Sequence, residues 1–205
     1  MIRPCVVGEG EYPTVTGGPF ADGYTASVTS LYGPREPIQT PAGMTGDFHY
    51  GIDLFAHDPP PLVSLMDGVV EYAEAWNPTV GNWIRVRSGE WSFDYYHMDA
   101  PPIHKPGDVV GMGEYVGNVG TTGLSTAPHL HLGMTLNGAP IDPLPVLRDA
   151  KEDEVRKVTN TEAVNALMAV VEQKDDAIAQ REGCWVGVKE DGEYREITFR
   201  VKGEA

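Results

Sequence analysis

Cysteine is nearly absent: two occur in 205 residues, Cys5 and Cys184. Neither lies in a CxxC or CxH context, which excludes a disulfide framework and a thiolate-ligated zinc and leaves their mutual pairing open. Positive charge is scarce as well, with 15 Lys and Arg against 30 Asp and Glu and a formal net charge of −15. A nucleic acid or an anionic membrane would meet like charge, so neither is an expected partner. No apolar run approaches the roughly 20 residues of a membrane span. The first nine residues, Met1-Ile2-Arg3-Pro4-Cys5-Val6-Val7-Gly8-Glu9, lack the apolar stretch of a secretory leader. Delivery by another route is therefore expected if the chain acts outside a cell. Aromatics are not lacking: four Trp, nine Tyr and five Phe can anchor a packed interior, which argues against disorder.

Glycine (24) and proline (17) are abundant, as befits many short strands joined by turns rather than a helical bundle. Residues 1–27 read as an N-terminal arm carrying one short strand. From Val28 onward short β-like runs alternate with turn signals, among them Trp83-Ile84-Arg85-Val86-Arg87, Phe93-Asp94-Tyr95-Tyr96 and His129-Leu130-His131-Leu132. The prediction is mainly β: an antiparallel sandwich or barrel-like sheet system over residues 28–147. Val164, Leu167, Met168, Val171 and Ile178 then recur at helical spacing behind a capping box at Thr159-Asn160-Thr161-Glu162. They predict a helical segment over 148–183, and Asp191-Gly192 between two β-like runs predicts a hairpin over 184–205. A lone hairpin is marginal in water, so this C-terminal part is expected to dock, oligomerise or attach to a larger particle.

All six histidines fall between His49 and His131. His49 and Asp53 form an HxxxD pattern, and His129 and His131 form HxH. On an extended strand, positions two or four apart project from one face. Two neighbouring strands would thus offer one pocket a carboxylate and up to three imidazoles, a donor set suited to zinc with an open position for water. His97 closes the aromatic run Phe93-Asp94-Tyr95-Tyr96 and is a further candidate. Either pattern alone is common by chance. Together, in a chain whose imidazoles are all local, they point to a metal or acid–base site.

Residues from about Val28 to Leu147 resemble the lysostaphin-type zinc endopeptidases, peptidase family M23. The similarity runs in order through Thr29-Ser30-Leu31-Tyr32-Gly33-Pro34-Arg35, His49-Tyr50-Gly51-Ile52-Asp53 and Asp67-Gly68-Val69-Val70. It continues through Gly81-Asn82-Trp83-Ile84, Tyr95-Tyr96-His97-Met98 and Gly120-Thr121-Thr122-Gly123-Leu124-Ser125-Thr126-Ala127-Pro128-His129-Leu130-His131. The resemblance implies that His49, Asp53 and His131 bind Zn2+ and that His97 and His129 are the unligated catalytic pair. It further implies an enzyme that cuts the peptide cross-links of bacterial peptidoglycan. With no leader in view, a phage lysin or virion-associated enzyme acting on the cell wall is the expected setting. Three positions depart from the family pattern. Tyr96 stands where Ala is frequent, and Leu132-Gly133 replaces an aromatic followed by Glu. Asp142 is either an outer partner of a ligating imidazole or a turn residue before Pro143, and His57 and His104 are expected at the surface. One alternative is a non-enzymatic relative that binds the wall or activates another hydrolase, but such a relative would be expected to lose some of the five positions that are filled here. The other is a sugar-binding sandwich using Trp76, Trp83 and Trp91.

Overall fold

The computed structural model describes residues 2–150, all within the compact unit Met1–Glu154. The expected helical segment over 148–183 and the hairpin over 184–205 lie, apart from residues 148–150, outside the described residues. The arm expected over 1–27 is more regular than its composition suggests. Cys5–Val7 and Thr14–Gly17 are strands that pair with each other, and Thr14–Gly17 pairs in turn with Thr25–Ser30, so residues 5–30 extend the main sheet.

That sheet is antiparallel in every pairing. From Thr25–Ser30 it passes to Ile52–Phe55, Leu130–Leu136, Trp91–Met98, Gly81–Ser88, Gly68–Asn77 and finally Val109–Val110. Strand alternation divides its two faces. Ile52 and Leu54, Leu130, Leu132 and Met134, Phe93 and Tyr95, and Ile84 and Val86 all point to one side and are essentially inaccessible to water. This side is the core, and Phe20, Leu62 and Leu65 pack into it beneath a small sheet formed by Pro61–Val63 and Tyr115–Asn118. The Tyr95 hydroxyl is buried there and accepts the Leu65 amide at 2.9 Å, which satisfies both polar groups. Burial pushes the Tyr95 phenol well above its ordinary pKa, so it stays neutral.

The opposite face carries Asp53, His131, Gly133, Tyr96, Asp94, Trp83 and Arg85. The expected antiparallel, mainly β architecture is thus the one found, and the strict alternation of the central strands is what segregates chemistry from core. A short helix, Pro143–Asp149, closes the described chain, burying Leu144 and Leu147. Asp142 is its N-cap, the side chain accepting the Leu144 amide at 3.0 Å. Asp142 is therefore the turn residue of the two alternatives. Cys5 is buried beside this helix, its Sγ donating to the Leu147 carbonyl at 3.1 Å. Burial raises its thiol to about 11, which leaves it unreactive.

Candidate metal centre and active site

His49 sits on the two-residue strand Phe48–His49, paired with Gly33–Pro34. Its Nδ1 lies 2.8 Å from the Leu31 carbonyl oxygen, which can only accept, so Nδ1 carries the proton. Ser30 Oγ lies 3.2 Å from the same nitrogen, and the side chain is buried. The lone pair of Nε2 is consequently aimed at Asp53 Oδ1, 3.0 Å away, and at His131 Nδ1, 2.9 Å away. Asp53 and His131 are direct cross-strand partners, and their atoms are also 3.0 Å apart. Three donor atoms thus form a triangle with edges near 3 Å, and neutral imidazoles can place at most one proton inside it. Such a convergence calls for a cation. A tetrahedral zinc with bonds of about 2.0–2.1 Å would set its ligand atoms roughly 3.3 Å apart, so the nitrogen, nitrogen and oxygen donors fit that ion in type and spacing.

Glycine at position 51 is a condition of this arrangement. A Cβ there would lie 2.5 Å from the Leu132 carbonyl oxygen and 2.6 Å from His131 Nε2. The residue between His49 and Asp53 must let the neighbouring strand approach closely. Burial opposes charge on Asp53, yet the facing imidazoles of His131 and His49 hold its carboxyl far below the ordinary range. Burial likewise lowers His131, which favours the neutral form that a metal requires.

His97 reaches the site by breaking the strand rule. Tyr95 faces the core and Tyr96 the site, so regular alternation would turn His97 back to the core. Instead its φ is 63°, at a bulge in its own strand where Tyr96 and His97 together stand opposite Trp83 of the partner strand. The ring therefore joins the site face. The segment after Gly120 locks it there: Nδ1 donates to the Thr122 carbonyl at 2.7 Å. Thr122 Oγ1 is itself tied to the Met98 carbonyl at 2.8 Å and to the Asn82 amide at 2.9 Å. Burial pushes His97 down to about 3, helped by His129 and His131, so it is neutral at any ordinary pH.

His129 donates from Nδ1 to the Ala127 carbonyl at 2.8 Å, and its Nε2 is 3.6 Å from Asp53 Oδ1. Its ring lies 4.8 Å from that of His97, centroid to centroid. Both imidazoles thus hold Nδ1–H on a backbone carbonyl and keep the Nε2 lone pair free. Together with Asp53, His131 and Arg35 they line one narrow cavity of about 50 Å³.

All five residues singled out in the sequence are therefore brought together. His57 is exposed, and His104 donates to the Tyr115 carbonyl at 2.9 Å away from the site. Of the tryptophans, Trp76 is exposed, while Trp83 and Trp91 are half-buried and stack on Tyr72 and Phe93. Arg35 is the participant whose role the sequence did not disclose. Its Nη1 is 3.1 Å from Ser30 Oγ and 3.5 Å from Asp53 Oδ2, the carboxylate oxygen turned away from the triangle. A lone arginine in a stretch otherwise short of basic residues is the signal that could have found it.

Comparison with known proteins agrees with this geometry. The Peptidase family M23 model matches residues 47–143, a span containing all five residues. Glycyl-glycine endopeptidase ALE-1 of Staphylococcus capitis is 34% identical over 124 residues, covering 58% of this chain and 33% of that protein. DD-carboxypeptidase/endopeptidase Mpg of Neisseria meningitidis is 33% identical over 154 residues, covering 75% of this chain and 33% of that protein. A solution structure of lysostaphin superposes with a TM-score of 0.50 at 32% identity, covering 63% of this chain and 53% of that one. The chain belongs to peptidase family M23. It spans about a third of the length of these two curated relatives.

Proposed function

We propose that this chain is a zinc-dependent endopeptidase that hydrolyses peptide cross-links of bacterial peptidoglycan, with the cell wall as its site of action. The observation that carries the reading is the triangle of His49 Nε2, Asp53 Oδ1 and His131 Nδ1, flanked by two imidazoles with free Nε2 lone pairs. The relatives' names, a glycyl-glycine endopeptidase and a DD-carboxypeptidase/endopeptidase, support wall peptides as the substrate class.

In this reading His49, Asp53 and His131 hold the zinc, whose chemistry when bound is to polarise a scissile carbonyl and acidify water. Arg35 keeps Asp53 Oδ2 engaged so that Oδ1 remains the inward atom. His97, clamped on Thr122 and kept uncharged by burial, accepts a hydrogen bond from the attacking water and orients it. His129 takes up the water proton and delivers it to the leaving amine. It is more open to solvent than His97, and its Nε2 lies 3.6 Å from Asp53 Oδ1, beside the zinc ligands.

Purified peptidoglycans of several cross-link types, digested by the full chain and analysed by mass for new termini, test the activity. New amino termini within cross-links, abolished by a chelator and restored by zinc, are the expected result. Intact cross-links with a fully zinc-loaded sample would overturn it. Among variants, His49→Ala and Asp53→Ala are expected to lose zinc in atomic absorption. His129→Ala should retain zinc while turnover falls about 10²- to 10⁴-fold. Undiminished lysis by His129→Ala would remove its proton-transfer role.

A further inference from the structure

Two of the departures from the family pattern, Tyr96 and Gly133, are diagonal neighbours on adjacent strands. Across adjacent strands Tyr96 pairs with His131, and Asp94 pairs with Gly133. The Tyr96 ring lies parallel to the His131 imidazole, with centroids 5.0 Å apart and planes 6° from coincidence. Its hydroxyl donates to Asp94 Oδ2 at 3.1 Å, and Arg85 grips the same carboxylate through Nε and Nη2 at 2.5 and 2.7 Å. Trp83 meets the phenol ring edge-on at 5.4 Å. Asp94 is buried, and Gly133 makes its place: a Cβ at 133 would lie 3.2 Å from Asp94 Cβ and 3.3 Å from Oδ2. A larger side chain at 133 would compete with the carboxylate that anchors the tyrosine.

His131 has a particular need for such an anchor. His49 is oriented through its second ring nitrogen by Leu31 and Ser30. The His131 hydrogen-bond contacts among the described residues all go through Nδ1, the atom turned to His49 and Asp53. The usual outer partner on the other nitrogen, which fixes the plane of a ligating imidazole, has no counterpart there.

We propose that Tyr96 is a positioning residue for His131, its stacked ring, anchored by Asp94 and Arg85 and backed by Trp83, doing what a hydrogen bond on the second nitrogen would otherwise do. The inference rests on the reading of His49, Asp53 and His131 as zinc ligands. Stacking holds the imidazole plane so that Nδ1 meets the other two donors before any metal arrives, which lowers the ordering cost of binding.

Zinc affinity of the full chain, measured by competition with a chromogenic chelator, and the visible spectrum of the cobalt-substituted protein test this. Tyr96→Ala is expected to weaken zinc binding about 10- to 100-fold and to change the cobalt bands. Tyr96→Phe, which keeps the stack, should recover most of the affinity. Tyr72→Ala, on the far side of Trp83, should leave both readouts as in the parent. Circular dichroism checks folding, and where Tyr96→Ala is unfolded, Tyr96→Leu carries the comparison. Parental zinc affinity in a folded Ala or Leu variant would overturn the proposal while leaving the ligand assignment intact. A parent chain that binds no zinc would overturn both.

Discussion

Gly51 shows how much of a site can depend on one missing methyl group. The strand bearing His131 passes so close to residue 51 that a Cβ would overlap both the Leu132 carbonyl and the imidazole. Gly51→Ala is therefore expected to cost about 1–3 kcal/mol in urea unfolding and to weaken zinc binding by displacing His131. His97 gives a second expectation at this scale. Its folded-state value, about 3, lies below the ordinary 6.5, so the unfolded chain binds the extra proton. Its contribution to stability is full above pH 6.5 and is lost as pH falls toward 3, with a slope of up to about 1.4 kcal/mol per pH unit. Metal-free parent and His97→Asn, compared by urea unfolding between pH 7 and 4, should differ by that slope, the variant being flatter. The HxxxD and HxH spacings were legible as sequence patterns, although His49 and Asp53 lie on two separate short strands, Phe48–His49 and Ile52–Phe55, joined through Tyr50-Gly51. Arg35 was not, since its part depends on a loop returning to Asp53.

At the scale of elements, the central strands do two jobs with one alternation, burying one row of side chains and offering the other to the site. The exception is the end of Trp91–Met98, where a positive φ at His97 places two consecutive side chains, Tyr96 and His97, on the same side. Nothing in residue order announces that bulge. It is imposed by the segment around Thr122, folded against the strand end. The N-terminal arm is a second case. Its short apolar runs, broken by Gly and Pro, carry little period of their own and become strands by pairing at the sheet edge. The helix Pro143–Asp149 is capped rather than tied to the site, so Asp142→Ala should lower stability by about 1 kcal/mol. Zinc affinity in that variant should match the parent, which competition with a chelator would show.

For the whole molecule, charge sets the long-range behaviour. Residues 1–147 hold 5 basic and 16 acidic side chains, so the part bearing the site is the more strongly acidic. Under the proposed function, phosphate-rich wall polymers would repel it, and association would come from the groove and the candidate metal centre rather than from bulk attraction. Raising ionic strength from about 10 to 150 mM shortens the screening length from roughly 30 to 8 Å. Lysis of phosphate-rich walls is accordingly expected to quicken over that range, while cleavage of a short neutral peptide stays constant. A turbidity assay run beside a peptide assay checks both. Among the described residues no helix is long and apolar enough to cross a membrane.

Sequence by itself determined the β architecture and the family and singled out the five side chains that the fold brings together, because turn residues, strand alternation and ordered motifs are local and periodic. It could not decide how those side chains meet. The edges of the donor triangle arise from the register between Ile52–Phe55 and Leu130–Leu136 and from the close approach that Gly51 permits. The free Nε2 lone pairs of His97 and His129 depend on which carbonyls, Thr122 and Ala127, come within reach of Nδ1. The stack of Tyr96 on His131 joins residues 35 positions apart in the chain. Each is a relation between segments, fixed by packing, and only the tertiary structure could decide it.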